Sequence, residues 1–219
     1  MTLLSGPRVP PRAGGPPRQL IVLLHGVGAN GDDLIALAPA LAAALPGAAF
    51  VAPNAPEPYD MAPFGYQWFS MRDRRPDTLL LGVQAAAPLV DAFLDAELER
   101  YRLADHQLAL LGFSQGTMTA LHVAPRRPRA VAGVLGYSGA LLGTDRLAQE
   151  AISRPPVFLI HGDADEVLPV HAMYAAVAAL QAAGIPAQWS LRRGLSHGIE
   201  PDSIAHGAAF LAAAFASGA

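Results

Sequence analysis

Short apolar runs recur along the chain, separated by stretches in which apolar and polar residues alternate with helical spacing. Gln19-Leu20-Ile21-Val22-Leu23-Leu24 is the clearest run, and Ala48 to Ala52, Leu108 to Phe113, Ala130 to Tyr137, Val157 to Ile160 and Ala187 to Leu191 follow it. Each has the length and bounding Gly, Pro or polar residues of a strand. Between them the pattern predicts a helix capped by Asp32 or Asp33, running to about Leu45 and stopped by Pro46-Gly47. It predicts further helices over Thr78 to Tyr101, with a kink at Pro88, over Thr117 to Ala124, ended by Pro125, and over Val170 to Ala183, ended by Gly184. A closing helix runs from about Asp202 to Phe215.

Strands that are apolar throughout, alternating with helices, predict a mostly parallel sheet with helices on both faces. Loops at the carboxyl ends of such strands carry function. No repeat or linker interrupts the pattern, so residues 19–219 are expected to form one α/β domain. Residues 1–18, rich in Pro, Gly and Arg, are expected to be extended or partly disordered, with room for a short edge strand. Pro53 to Asp77 is a long stretch with no clear period.

Composition narrows the chemistry. The chain is 52% hydrophobic, yet no run of about 18 apolar residues is unbroken, so no membrane span is expected. The N-terminus has Arg and Pro but no apolar signal core, which points to a cytoplasmic protein. The absence of Cys excludes disulfides, thiolate zinc sites and a cysteine nucleophile. All 15 basic residues are Arg, which excludes a P-loop lysine, a Schiff base and a Ser-Lys dyad. Net charge is -3, and the clusters Arg72-Asp73-Arg74-Arg75 and Arg126-Arg127-Pro128-Arg129 read as solvated loops rather than nucleic-acid contacts.

One motif stands between a strand and a helix: Gly112-Phe113-Ser114-Gln115-Gly116. Strand, Gly-x-Ser-x-Gly, helix is the pattern of a nucleophile elbow. The turn is sharp enough to strain the serine backbone, and the flanking residues must be small because strand and helix nearly touch. Ser114 is therefore the candidate nucleophile.

The rest of the chain supplies partners in order. His161-Gly162-Asp163-Ala164-Asp165-Glu166 follows one strand, and Ser196-His197-Gly198 follows the last. Serine, acid, histidine is the chain order of α/β hydrolases. His197, in a short Gly-flanked loop, is the candidate base. Asp163, Asp165 and Glu166 compete for the acid. Asp165 is favoured, because Asp163 reads as a turn residue bonding its own backbone and the more remote Asp202 as a helix N-cap. His25 and His161, each before a Gly at a strand end, read as braces of active-site loops. His122 and His206 read as packing or surface residues, and His106 and His171 as exposed.

His25-Gly26-Val27-Gly28-Ala29-Asn30-Gly31 is a Gly-rich loop after the first long strand. The hydrolase pattern takes one oxyanion donor from this loop and one from the residue after the nucleophile. That assigns the backbone N–H groups of Val27 and Gln115. The irregular stretch 53–77 concentrates Tyr59, Phe64, Tyr66, Trp68 and Phe69 with Met61 and Met71. Phe64, Trp68, Phe69 and Met71, with Leu168 from the acidic loop, are the candidate lining of an acyl pocket. A self-pinned aromatic cluster or a homodimer contact is the alternative use of that stretch.

Taken together these motifs resemble the phospholipase/carboxylesterase family of α/β hydrolases, which includes acyl-protein thioesterases and bacterial carboxylesterases. The resemblance runs through Leu23-Leu24-His25-Gly26-Val27-Gly28, Ala52-Pro53-Asn54-Ala55-Pro56, Gln67-Trp68-Phe69, the elbow, His161-Gly162-Asp163-Ala164-Asp165 and His197-Gly198. It implies an α/β-hydrolase fold without a large cap domain and the later aspartate, Asp165, as the catalytic acid. It also implies a small-molecule ester substrate cleaved without metal or organic cofactor. The Arg-rich patch at Arg72 to Arg75 departs from the family pattern and leaves the pocket rim open. The expected activity is a serine carboxylesterase acting on short- to medium-chain esters. An acyl-protein thioesterase or lysophospholipase is the runner-up, and a catalytically silent binding protein of the same fold the second class.

Overall fold

The computed structural model describes residues 4–217. Its strands are β1 (Arg8–Val9), β2 (Gln19–Leu24), β3 (Ala48–Val51), β4 (Glu57–Pro58), β5 (Tyr66–Gln67), β6 (Leu108–Phe113), β7 (Gly133–Tyr137), β8 (Val157–Gly162) and β9 (Ala187–Arg192). Its helices are α1 (Gly31–Ile35), α2 (Ala38–Ala44), α3 (Pro76–Tyr101), α4 (Gln115–Val123), α5 (Leu147–Glu150), α6 (His171–Ala182) and α7 (Pro201–Ser217). Seven strands form one sheet in the order β1-β3-β2-β6-β7-β8-β9, parallel except for β1, and β4-β5 make a separate small hairpin.

Successive strand residues face opposite sides, and here both sides are covered. Leu20, Val22 and Leu24 join one core with Leu108 and Leu110, packed by α3, α4 and α6. Ile21 and Leu23 join the other with Ala109 and Leu111, packed by α1, α2 and α7. That is why β2 and β6 are apolar without alternation.

Several elements differ from the sequence expectation. The helix expected up to Leu45 is two helices, because Pro39 has no N–H to donate to the Ile35 carbonyl. The first is capped by Asn30, not Asp32 or Asp33: Asn30 Oδ1 accepts from Asp33 N at 3.0 Å, and Asp33 returns a bond to Asn30 N. Before β2 the expected short edge strand is present as β1. Arg8 and Val9 pair with Val51 and Phe50, and Arg8 ion-pairs with the buried Glu97 at 2.5 Å. Residues 1–3 lie outside the described range.

Helix α3 runs unbroken through Pro88, whose missing N–H frees the Gln84 carbonyl. It is long and apolar enough to cross a membrane, with a mean hydropathy of 1.5, but Val83, Val90, Phe93 and Leu94 bury its inner side in the core. The expectation of solvated arginines fails at Arg127, which is only 2% exposed. It is enclosed by Asp95 and Asp105, both at 2.7 Å, and by Asp91. Carboxylates from α3 and from the turn before β6 neutralise it, so the charge can enter the protein.

Candidate active site

Strand β6 delivers the chain to Ser114, which sits at φ 53°, ψ -116°, and α4 starts at the next residue. A non-glycine residue at positive φ is strained and persists only where its surroundings enforce it. Here the flanking glycines allow it. A Cβ on Gly116 would fall 1.8 Å from the Leu24 carbonyl oxygen, and one on Gly112 would fall 2.5 Å from Thr117 Cα. Ser114 N–H donates to Tyr137 O at 2.9 Å, and Thr117 Oγ1 donates to the same oxygen at 2.9 Å. The elbow is thus pinned to β7.

Ser114 Oγ lies 3.0 Å from His197 Nε2, and His197 Nδ1 lies 2.7 Å from Asp165 Oδ2. An ionised carboxylate only accepts, so Nδ1 carries the proton and Nε2 is free to accept from the serine hydroxyl. Asp165 is buried. Its Oδ1 accepts from Val167 N and Leu168 N at 3.0 and 2.8 Å. Burial alone would raise its pKa, but the bonds from Leu168, His197 and Val167 outweigh it and hold the carboxyl below its ordinary value.

The other acids sit elsewhere. Asp163 does not bond its own backbone but accepts from Gly194 N at 2.6 Å, tying the loop after β8 to the turn after β9. Asp202 lies inside the first turn of α7, where it pairs with Arg192 at 3.2 Å rather than capping the helix. Glu166 is exposed.

Two histidines brace the loops. His161 Nε2 donates to Leu168 O at 2.8 Å and lies 3.2 Å from Asp165 Oδ2. His25 Nε2 accepts from Ala55 N at 3.0 Å while Nδ1 donates to Gly26 O at 2.7 Å, which fixes a neutral imidazole. Burial pushes its pKa down, against the pull of the Gly26 carbonyl. His122 is buried on α4, and His106, His171 and His206 are exposed.

Val27, Gln115 and Ser114 line one cavity of about 250 Å³. Among the described residues, neither the Val27 nor the Gln115 backbone N–H donates to a protein acceptor. Gln115 is the first residue of α4, where no intrahelical acceptor exists. The Gly26 Cα approaches Ser114 so closely that an added Cβ would be 3.3 Å from Ser114 Cβ. Two free donors therefore flank the serine, where they can stabilise negative charge.

Met71 and Leu168 line this cavity, but three other expected lining residues do not. Phe64 is 72% exposed at the tip of the β4-β5 hairpin. Trp68 and Phe69 are buried and line a separate cavity with Pro56, Ser70, Gly82 and Leu89. The Trp68 indole donates to His25 O at 2.9 Å. The Gln115 side chain accepts from Trp68 N at 2.9 Å and donates to Phe69 O at 2.7 Å. Sequence reasoning missed Tyr59, Arg74, Leu79 and Met118 in the lining. Met118 could have been found, since it stands one helical turn after Ser114 on the same face.

A larger cavity, about 620 Å³, lies between α3, α4 and α5 but holds no nucleophile, and its Arg126 and Glu150 are already paired. Among the described residues, no group of three or more His, Asp or Glu is placed to hold a metal.

Residues 10–215 match the phospholipase/carboxylesterase family, and the chain belongs to it. It is 29% identical to the esterase YpfH of Escherichia coli over 189 residues, 86% of this chain and 80% of that protein. It is 30% identical to acyl-protein thioesterase 1 of Saccharomyces cerevisiae over 168 residues, 71% of this chain and 74% of that protein. Its fold superposes on the crystal structure of esterase PE8 with a TM-score of 0.92 at 39% identity, covering 96% of this chain and 98% of the other. The fold is that of the α/β hydrolases, and the chain is a hydrolase of the esterase and thioesterase group.

Proposed function

We propose that the protein is a serine carboxylesterase that cleaves short- to medium-chain esters through an acyl-serine, with Ser114, His197 and Asp165 as its triad. The single observation that carries this reading is the unbroken line Ser114 Oγ, His197 and Asp165, at 3.0 and 2.7 Å, beside two free backbone donors.

His197 Nε2 takes the hydroxyl proton as Ser114 Oγ attacks the ester carbonyl carbon. The Val27 and Gln115 N–H groups hold the resulting oxyanion, each donor worth roughly 10²–10³ in rate. Asp165 keeps the imidazole in the reactive tautomer and stabilises its cation. The imidazolium then protonates the leaving alcohol. Water, deprotonated by His197, attacks the acyl-serine and releases the acid. A cavity of about 250 Å³ lies below the roughly 300–1,000 Å³ of drug-sized ligand pockets, which favours short acyl chains.

The test is Ser114→Ala against 4-nitrophenyl esters of increasing chain length. The variant should fold and lose turnover by at least about 10³-fold. Wild-type turnover in a folded Ser114→Ala protein refutes the mechanism. Acyl-protein thioesterase 1 of yeast supports a second reading, a long-chain thioesterase, and a steady rise in kcat/KM beyond about twelve carbons would select it.

A further inference from the structure

We propose that the preferred ester carries a negative charge, and that Arg74 at the cavity wall recognises it. The inference rests on Ser114 being the nucleophile and names the substrate class for that same cavity.

The cavity around Ser114 is built from Val27, Tyr59, Met71, Leu79, Met118 and other apolar or neutral residues, and Arg74 is the one charged side chain in its lining. Its neighbours in the Arg72-Asp73-Arg74-Arg75 run are all engaged. Asp73 Oδ2 accepts from Arg75 at 2.7 Å and from Thr78 Oγ1 at 2.9 Å. Arg72 is paired with Asp60, which also accepts from Ser70 Oγ at 2.6 Å. Asp60 and Asp73 are therefore taken, and among the described residues Arg74 has no hydrogen-bond or ion-pair partner. Glu166, beside Val167 on the facing loop, is exposed and outside the lining.

An unneutralised guanidinium at the wall of an apolar cavity has one chemical consequence. Arg74 is exposed at the cavity edge, so water and salt screen its attraction for an anion, but its planar fork matches a carboxylate or phosphate in two parallel bonds. A neutral ester leaves that donor to water. An ester bearing a carboxylate on its acyl or alcohol part places the anion against it.

The experiment compares 4-nitrophenyl hexanoate with mono-4-nitrophenyl adipate, which replaces the terminal methyl by a carboxylate. A third substrate, the butyrate ester of 5-hydroxy-2-nitrobenzoic acid, puts the carboxylate on the leaving group. We expect Arg74→Gln to lower the anionic-to-neutral ratio of kcat/KM by about two- to fivefold, mainly through KM, as befits a solvent-screened ion pair. Arg74→Glu lowers it further, and Arg74→Lys restores part of it. Added salt lowers the ratio in the wild type and not in Arg74→Gln. Whichever anionic ester responds identifies the acyl or the alcohol side. Equal effects on all three esters, or none, overturn the proposal while leaving the esterase reading intact. Failure of the wild type to turn over any of them, with no labelling of Ser114 by a fluorophosphonate, overturns the esterase reading itself.

Discussion

Gln115 has a backbone N–H and a side chain that are separable, and replacing it by leucine tests the side chain alone. Its backbone N–H faces the cavity, and that donor survives any side-chain change. Its side chain is fully buried and joins the elbow to the Trp68-Phe69 segment through bonds of 2.9 and 2.7 Å. Gln115→Leu leaves the Trp68 N–H and the Phe69 carbonyl buried without partners. Each costs about 1–3 kcal/mol, so the variant should lose roughly 2–6 kcal/mol. For a chain of this length that lowers Tm by roughly 4–24 °C. Met71 follows this segment into the cavity wall, so KM should rise while kcat falls far less than in Ser114→Ala. Gln115→Glu sharpens the test. At neutral pH its carboxylate can accept from Trp68 N but faces the Phe69 carbonyl without a proton to give. Stability should therefore partly recover as pH falls and the carboxyl protonates. Calorimetry across pH, with Michaelis kinetics on one short ester, reads all of this. A Tm for Gln115→Leu within 2 °C of wild type would show that the amide is not what ties the segment down.

Three further outcomes follow from the packing. Gly116→Ala forces a Cβ to 1.8 Å from the Leu24 carbonyl, backbone against backbone, so it should destabilise by about 3 kcal/mol or more, measured by urea unfolding. His122 has its pKa pushed down to about 4 by burial and by the Arg126 charge. Below about pH 6.5 the unfolded chain therefore binds a proton that the folded chain refuses, and stability falls until pH reaches about 4. His122→Leu should be neutral or stabilising at pH 7, since Nδ1 has no partner, and should flatten the urea-midpoint slope between pH 7 and 4.5. Arg127→Met leaves Asp105, whose side chain is 4% exposed, with Arg129 at 2.7 Å as its remaining cation and should cost roughly 1.5–3 kcal/mol, whereas Asp95, 65% exposed, simply returns to water.

The sheet was legible because its strands are buried on both faces. The bounds of the apolar runs match β2 and β6, and Ser114, Asp165 and His197 each follow such a run in the sequence, which puts all three at strand ends. The misses share a cause. Trp68 and Phe69 were read as pocket residues because an aromatic-rich loop shows its composition but not which side faces inward. That choice is made by His25, 43 residues away, and by Gln115, 47 and 46 residues away. Arg127 was read as solvated because its acids lie on other segments, 22 to 36 residues distant. The split of the first helix was local, and Pro39 announced it.

The groups around Ser114 are delivered by the ends of four parallel strands, β2, β6, β8 and β9, and the serine and histidine stand 83 residues apart in sequence. No hairpin or isolated fragment contains them. β9 is an edge strand and follows the other strands of the sheet in the chain, so His197 reaches Ser114 only when these strands are in place. Ester turnover during refolding therefore counts finished molecules, while circular dichroism counts secondary structure whenever it forms. The interval between the two signals is the time the chain takes to seat its final strand.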